Sequence, residues 1–226
     1  MTRIIIADVS KLSENHYNVI YRLLDSERRI RVDGYVFERD KKLAAVSEIC
    51  LYYLLSMEYK YEERLLVRGW RNNWKPYFIN IPNLHYSISH SGNKCIVGIS
   101  NQCELGLDIE WLPKYCNLDL LNNIIKLFNE EEISMVECGE NLLQRVIVLW
   151  TQKEALFKSL GKGTLRQTLN KVLTKEDLRK IDSFILNEYV ISIANAPANT
   201  PILNANNIGI DNIIEDIQTW KSKSNN

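Results

Sequence analysis

Two short segments of the sequence carry acidic and basic side chains at spacings that suit a metal and phosphate site. In the segment Gly106–Glu110, Asp108 and Glu110 alternate with apolar residues, and alternate side chains of an extended strand share one face. Two carboxylates on one face suit a hard cation such as Mg²⁺, which binds a few carboxylates together with water and substrate phosphates. This segment therefore predicts part of a metal site.

The second segment has helical spacing. Trp150, Glu154 and Lys158 recur every four residues, so we expect them along one stripe of a helix that ends near Gly161. Trp150 is predicted to be a core anchor. Glu154 adds a third carboxylate, and the Lys158 ammonium can sit on a phosphate oxygen as a compact charge.

Each motif also has an ordinary structural explanation. Asp108 and Glu110 could form the solvated face of an edge strand, and Glu154 with Lys158 could be a surface i,i+4 pair. The metal hypothesis requires that the three carboxylates from the two segments converge on one ion. Coordinates in which their oxygens lie too far apart to share a cation, or face away from any cleft, would contradict it.

A third motif runs from a strand into a turn over Tyr86–Gly92 and presents Ser89 beside His90. A hydroxyl and an imidazole can both donate to a phosphate oxygen, and the turn can add backbone N–H groups. A turn without a ligand is the main alternative. A Ser-His-Asp triad is a weaker one, because neighbouring side chains diverge on a strand and the sequence has no Gly-x-Ser-x-Gly elbow.

Lysine and arginine residues upstream could bind further phosphate. Lys75 precedes a proline, which favours an extended conformation at the lysine and could aim it at a ligand. The basic residues between Arg28 and Lys42 could either contact phosphate or form a solvated face.

The composition is that of an ordinary globular protein. The chain has 226 residues, of which 46% are hydrophobic and 25% charged, and its 28 basic and 28 acidic residues cancel. Zero net charge implies no bulk polyanion such as nucleic acid as a partner. The five cysteines form no Cys-x-x-Cys pair, which favours reduced thiols in a cytosol. We expect no signal peptide and no membrane span, because the apolar runs are too short.

The hydrophobic periodicity predicts an N-terminal strand, two helices at 12–24 and 40–55 joined by a polar basic link, three neighbouring strands at 84–89, 95–100 and 106–110, three helices at 118–128, 130–136 and 141–160, and a hairpin around Asn187-Glu188. This order suggests two similar halves that meet near residues 101–105. The last few residues of the Asn-rich tail are expected to fray.

Taken together, the motifs resemble the 4′-phosphopantetheinyl transferases of the long, Sfp-type class. Lys-Pro-Tyr, Ile-Ser-His-Ser, Gly-Leu-Asp-Ile-Glu and Trp-x-x-Lys-Glu-Ala-x-x-Lys-x-x-Gly-Lys-Gly follow in that order between Lys75 and Gly163. Phe128 and Glu132 match the Phe-x-x-x-Glu signature of the family. Trp74 stands where many relatives have glycine, so the path of that loop is left open.

The resemblance implies an enzyme that transfers the 4′-phosphopantetheine group of coenzyme A to a serine hydroxyl of an apo acyl, peptidyl or aryl carrier protein and releases 3′,5′-ADP. It implies Mg²⁺ held by Asp108, Glu110 and Glu154. The proton acceptor would be Glu154 or a metal-held water, and Lys158 would neutralise phosphate charge. The coenzyme A contacts implied are Lys75, Ser89, His90, Lys158, Arg31 and Lys42, with Arg28 or Lys41 as alternatives.

The resemblance also implies an α+β fold of two similar α/β halves, related by a pseudo-twofold, with the ligand cleft between them. Residues 1–104 would supply the nucleotide contacts, and residues 105–226 the metal site and the carrier docking surface. Docking is expected on the segment Lys114–Phe128, whose leucines Leu118, Leu120 and Leu121 could equally face the core. The class tends to act as a monomer, and we expect a cytoplasmic one.

Two hypotheses from other classes remain open on the sequence alone. An Asp-x-Glu pair with a remote Glu also describes Mg²⁺-dependent nucleases and phosphodiesterases. Alternatively, the chain could be a non-catalytic module that binds coenzyme A or a carrier protein, with structural carboxylates.

Overall fold

The computed structural model describes residues 1–58, 66–71 and 75–224. Its strands are β1 (Thr2–Asp8), β2 (Arg68–Trp70), β3 (Pro76–Phe78), β4 (His85–Ser91), β5 (Lys94–Ser100), β6 (Gly106–Trp111), β7 (Ile181–Leu186), β8 (Tyr189–Ala194) and β9 (Ile202–Asn204). Its helices are α1 (Glu14–Leu23), α2 (Ser26–Asp33), α3 (Glu38–Glu58), α4 (Leu118–Ile125), α5 (Glu130–Glu137), α6 (Leu142–Leu160), α7 (Leu165–Asn170), α8 (Lys175–Leu178), α9 (Ala205–Ile208) and α10 (Ile210–Ser224). A 3₁₀ helix at Leu112–Cys116 follows β6. The loop position Trp74 lies outside the described residues.

The same topology occurs twice, which confirms the predicted α+β fold of two similar halves. In the N-terminal half the antiparallel strands lie in the order β4-β5-β1, and in the C-terminal half the order is β7-β8-β6. Each unit is one strand, then helices, then a hairpin. The second hairpin turns at Asn187 and Glu188, both with positive φ, as in the tight turns that match strand twist.

The two sheets pack face to face through one apolar layer. Ile4 and Ile6 of β1 meet Leu107 and Ile109 of β6 in a buried cluster. All four side chains follow the alternation of their strands. The opposite face of the first sheet packs on α3, and that of the second packs on α6. The two long helices therefore flank a central double sheet.

Three features differ from the sequence-based expectation. The stretch predicted as a basic link forms α2, which buries Arg28 and Val32 one helical turn apart, and periodicity missed it because one inward residue is charged. β6 joins the second sheet rather than pairing with β4 and β5. The chain end returns to the first half, since β9 pairs in parallel with β1. The first half therefore includes this tail, which a division after residue 104 does not capture.

The returning tail is well packed. Ile213, Ile217 and Trp220 of α10 are buried in the core of the N-terminal half, and the Trp220 ring lies 5.9 Å from that of Tyr52 on α3. Helix α10 therefore continues to Ser224, later than a frayed tail would suggest. Among the described residues, no helix combines the length and apolar character that crossing a membrane requires.

Candidate active site

The acidic strand β6 is buried on both faces. Leu107 and Ile109 are fully buried between the sheets, and Asp108 is only 3% exposed. The Glu110 side chain is 14% exposed, so the two carboxylates are not the solvated face of an edge strand. Gly106 makes this burial possible, because a Cβ atom there would lie 1.9 Å from the carbonyl oxygen of Ala155 on α6.

Helix α6 carries the second motif against this strand, and its last residue is followed by Gly161 with φ 64° as predicted. Trp150 packs against the apolar cluster of the C-terminal half. The Lys158 ammonium donates to Asp108 Oδ1 at 2.7 Å. The two motifs therefore meet, and Lys158 belongs to a contact between elements rather than to an isolated surface pair.

The carboxylates influence each other's protonation. Burial, reinforced by the negative charges of Asp108 and Glu110, raises the pKa of Glu154 to about 7, although Lys158 opposes this shift. Burial likewise raises the pKa of Asp108. Burial alone would lower the pKa of Lys158, but Asp108 and Glu154 outweigh it and raise that pKa. Clustered carboxylates of this kind are common at functional sites.

The donor set fits a hard divalent cation. Asp108, Glu110 and Glu154 come close enough to raise the pKa of Glu154, and Asp108 Oδ2 is buried without a hydrogen-bond partner in the described chain. An orphaned buried carboxylate oxygen is costly unless a cation or donor reaches it. Within residues 1–58, 66–71 and 75–224, however, no three acidic, His or Cys side chains are already arranged to hold one ion. The assignment of these three carboxylates as metal ligands therefore stays a prediction.

Three alternate serines of β4 join the two halves at this site. The Ser87 hydroxyl accepts the N–H of Leu107 at 2.9 Å. The Ser89 hydroxyl donates to Asp108 Oδ1 at 2.8 Å and accepts from Lys158 at 3.0 Å. Ser91 donates to Glu110 Oε2 at 2.7 Å. The Ser89 hydroxyl, which is predicted to bind phosphate, thus bonds to Asp108 and Lys158 in this structure.

A cavity of about 460 Å³ lies beside these contacts between β4 and β6, and residues of both halves line it. Lys158 and Phe157 line it from α6, His90 and Ser89 from β4, and Arg31 from α2. Burial and the nearby Lys158 lower the pKa of His90, so its imidazole is neutral at pH 7. Five of the six predicted coenzyme A contacts therefore line one cavity, namely Arg31, Lys75, Ser89, His90 and Lys158.

The N-terminal wall of the cavity holds a buried charged network that sequence reasoning largely missed. Arg68 forms a bidentate pair with Glu48 at 3.0 and 2.6 Å, and Arg28 lies 3.6 Å from the same carboxylate. Among the described residues, Arg28 Nε and the Tyr86 hydroxyl are buried without a hydrogen-bond partner. The available signal was a lone Glu48 in the apolar run of α3.

One predicted coenzyme A contact, Lys42, lies away from the cavity. The Lys42 ammonium pairs with Glu14 of α1, whereas Ala44 and Ser47 of the same helix line the cavity. Two residues along a helix turn the side chain by about 200°, so Lys42 lies on the wrong face and this prediction needs correction. Arg31, by contrast, lines the cavity and lies over the Trp70 ring at 5.5 Å.

Lys75 lines the cavity, but its ammonium points into the junction of the halves. It donates to Glu104 at 2.7 Å, to the Ser159 carbonyl at 2.9 Å and to the Leu105 carbonyl at 3.4 Å. Burial lowers its pKa even though Glu104 opposes this. In this structure Lys75 ties the halves together, and its contact with a nucleotide stays a prediction.

Comparison with known proteins identifies the class. Residues 104–195 match the 4′-phosphopantetheinyl transferase superfamily model, and residues 11–102 match the model for the N-terminal region of 4′-phosphopantetheinyl transferases. The matches meet at the junction of the two structural halves. The chain therefore belongs to the 4′-phosphopantetheinyl transferase superfamily, and its two-half organisation is that of the Sfp-type class.

Individual relatives support this membership. The protein slr0495 of Synechocystis, assigned to the 4′-phosphopantetheinyl transferases, is 30% identical over 163 residues, which are 70% of this chain and 65% of the relative. The 4′-phosphopantetheinyl transferase psf-1 of Bacillus pumilus is 25% identical over 61% of this chain and 58% of its own. For Sfp of Bacillus subtilis the identity is 23% over 67% and 66%. The chain thus aligns with somewhat less than two thirds of each relative.

Proposed function

We propose that this protein transfers the 4′-phosphopantetheine group of coenzyme A to a serine hydroxyl of an apo carrier protein and releases 3′,5′-ADP. The observation that carries the proposal is the shared cavity, whose wall includes Arg31, His90 and Lys158, the last of which donates to Asp108. Coenzyme A is a long molecule with phosphates at two places, so it needs separated cationic contacts. Family membership supports the same chemistry.

In this proposal Asp108, Glu110 and Glu154 hold Mg²⁺. When bound there, the ion would neutralise charge that develops on the pyrophosphate as it is cleaved. The orphaned oxygen of Asp108 and the raised pKa of Glu154 support this donor set. Arg31 and His90 would contact the 3′-phosphate, with Arg28 as the adjoining donor in place of Lys42.

The protein's own residues then serve the transfer step. The carrier serine oxygen forms a bond to the β-phosphorus, the bond from that phosphorus to the oxygen bridging to 3′,5′-ADP breaks, and the serine proton must leave. Glu154 is the proposed acceptor of that proton, as one of the carboxylates grouped with Lys158 at this site. Lys158, on the cavity wall, would stabilise the phosphate charge electrostatically.

We place carrier docking on the segment Lys114–Phe128, beside the end of β6. Leu118 is 70% exposed, whereas Leu121 is 5% exposed and faces the core. Leu120 packs partly buried against the same core cluster. Of the three leucines considered for docking, Leu118 is therefore the one available to a partner. The enzyme is proposed to act as a cytoplasmic monomer.

The test is to incubate the protein with coenzyme A, Mg²⁺ and each of several apo carrier proteins, and to weigh the carrier by mass spectrometry. A gain of one phosphopantetheine group is expected from the wild type and from Asp182→Asn, a control on the exposed strand β7. Loss of that gain is expected from Asp108→Asn and Glu154→Gln.

Other outcomes would overturn the proposal. Cleavage of a nucleic acid or phosphodiester without carrier modification would indicate a hydrolase. Binding of coenzyme A with no turnover on any carrier type would indicate a binding module. Equal turnover by Asp108→Asn and Asp182→Asn would separate the activity from the acidic cluster.

A further inference from the structure

The Lys158 ammonium lies on Asp108, the most buried of the three carboxylates proposed to hold the metal ion. It donates to Asp108 Oδ1 at 2.7 Å and to Ser89 Oγ at 3.0 Å. Asp108 is 3% exposed, and its other oxygen has no hydrogen-bond partner among the described residues. A buried carboxylate is thus neutralised by a single ammonium and remains half unsatisfied.

The neighbouring carboxylate of Glu110 is held by other donors. Glu110 Oε2 accepts from Ser91 at 2.7 Å and lies 3.4 Å from the ammonium of Lys114. No ready-made group of three metal-ligating side chains is found in residues 1–58, 66–71 and 75–224. In this arrangement Lys158 is the cation of Asp108, and a divalent ion would have to compete with it.

We propose that Lys158 is an exchangeable counter-ion, which neutralises Asp108 in the metal-free protein and leaves that carboxylate when a divalent cation binds. The proposal rests on the proposed function, which supplies the identity of the metal ligands. An ammonium and a divalent ion on the same buried carboxylate repel strongly in a medium of low polarity. Exchange relieves that repulsion and keeps Asp108 neutralised throughout.

The cavity gives the displaced ammonium somewhere to go. The Lys158 side chain is 26% exposed and lines the cavity, so a rotation of its flexible stem can carry the charge to a bound pyrophosphate. Metal binding would then release the group that holds the phosphates. Because coupling between two ligands is reciprocal, a bound pyrophosphate compound would in turn favour metal binding by drawing Lys158 away from Asp108.

If Lys158 instead stays fixed on Asp108, removing its ammonium should change the metal affinity in the opposite direction. If the ammonium only holds Asp108 in the orientation that the metal needs, removing it loosens the site and weakens metal binding. If it competes with the metal, removing it tightens metal binding. The two hypotheses are therefore separated by one affinity, measured without any turnover.

The experiment is a calorimetric titration of Mn²⁺ into the full chain without coenzyme A. Lys158→Met keeps the length and apolar stem of the side chain but removes the charge, and we expect its Mn²⁺ affinity to rise about tenfold through loss of charge repulsion. The matched control Lys114→Met removes an ammonium that is 47% exposed and 3.4 Å from Glu110, and should change the affinity less than about twofold. Asp108→Asn should abolish the binding in both backgrounds.

A second titration in the presence of coenzyme A tests the coupling. Coenzyme A should raise the Mn²⁺ affinity of the wild type more than that of Lys158→Met, since only the wild type has an ammonium to withdraw. Unchanged or weaker Mn²⁺ binding by Lys158→Met, or no binding that depends on Asp108, would overturn the exchange. The mass gain of the carrier, measured on the wild type alone, reports separately whether the proposed function holds.

Discussion

Helix α6 carries two lysine–carboxylate pairs that differ in how completely they are satisfied. Lys153 is fully buried, donates to Glu132 at 2.6 Å and also reaches the carbonyls of Leu169 at 2.5 Å and Lys171 at 2.8 Å. Lys158 is 26% exposed and donates to Asp108 and Ser89. We call Lys153–Glu132 the closed pair, because protein groups surround it completely. We call Lys158–Asp108 the open pair, because Lys158 lines the cavity and Asp108 Oδ2 has no donor among the described residues.

The difference shows how one helix can carry both a structural and a functional ion pair. Five residues along a helix turn a side chain by about 140°, so the two lysines face different surroundings. Lys153 faces the Phe128 ring at 5.5 Å and the loop after α7, where every donor finds an acceptor. Lys158 faces β6 and the cavity, where its partner can be exchanged.

The largest effect is expected from opening the closed pair. Lys153→Met leaves Glu132 buried without its cation, and breaking a buried ion pair in this way costs about 3–5 kcal/mol of stability. We expect the free energy of unfolding, measured by urea denaturation, to fall by that amount. Lys171→Met is the control, because that ammonium is 57% exposed on Asp177. Comparable losses for the two variants would show that the closed pair has no special structural role.

Lys158→Met tests the open pair, where activity rather than stability should suffer. Carrier modification is expected to fall by about 10²–10³-fold, the usual cost of removing one electrostatic contact to a transition state. Stability should fall by only about 1–2 kcal/mol, because the Lys158 side chain is 26% exposed and water can replace part of its contact with Asp108. Circular dichroism and urea unfolding check the fold. A stability loss as large as that of Lys153→Met would erase the distinction between the pairs.

Sequence alone predicts the open pair better than the closed one. The alternation on β6 and the four-residue spacing on α6 follow from local geometry, so Asp108, Glu154 and Lys158 were found and do come together. The partner of Lys153 is set by the packing of α5 against α6. Glu132 matched a family signature, but nothing local indicates that it reaches Lys153.

Other differences from the sequence-based expectation have the same physical origin. The resemblance implies Lys42 as a coenzyme A contact, but the face of α3 that it occupies depends on where α1 packs. Phosphate binding by Ser89 stays a prediction, and in this structure its hydroxyl direction is set by β6 from the other half. The return of β9 to β1 joins residues far apart in the chain. The local sequence pattern determines which residues share a face of a helix or strand, whereas tertiary packing determines which residues that face contacts.

The stability of the protein should also depend on pH, through the carboxylate of Glu154. The folded protein holds the Glu154 proton more tightly than the unfolded chain, because the pKa rises from 4.5 to about 7. The free energy of unfolding should therefore fall as pH rises from about 4.5 to about 7. The contribution is on the order of 3–4 kcal/mol, at about 1.4 kcal/mol for each pKa unit.

Urea unfolding in EDTA at several pH values between 4 and 8 measures this effect as the difference between the wild type and Glu154→Gln. The difference is needed because His85 and His90, whose pKa values are lowered, gain stability with rising pH in part of the same window. Glu176→Gln serves as the control, since that carboxylate is exposed on α8. Parallel pH curves for the wild type and Glu154→Gln would rule out an elevated Glu154 pKa.

The smallest effect is expected at His90, which lines the cavity beside the open pair. Since its pKa is lowered and the ring is neutral at pH 7, it can offer a phosphate one hydrogen bond but no charge, worth up to about tenfold in affinity. His90→Ala should therefore raise KM for coenzyme A by up to that factor and leave kcat nearly unchanged. His85→Ala is the matched control, because His85 lies on the same strand but contacts Glu104 at 3.6 Å.

With 3′-dephospho-coenzyme A the wild type and His90→Ala should have the same KM, because the phosphate that His90 binds is missing. An equal loss with both substrates would assign His90 to the open pair itself, as a group that shapes Lys158 rather than one that holds the nucleotide.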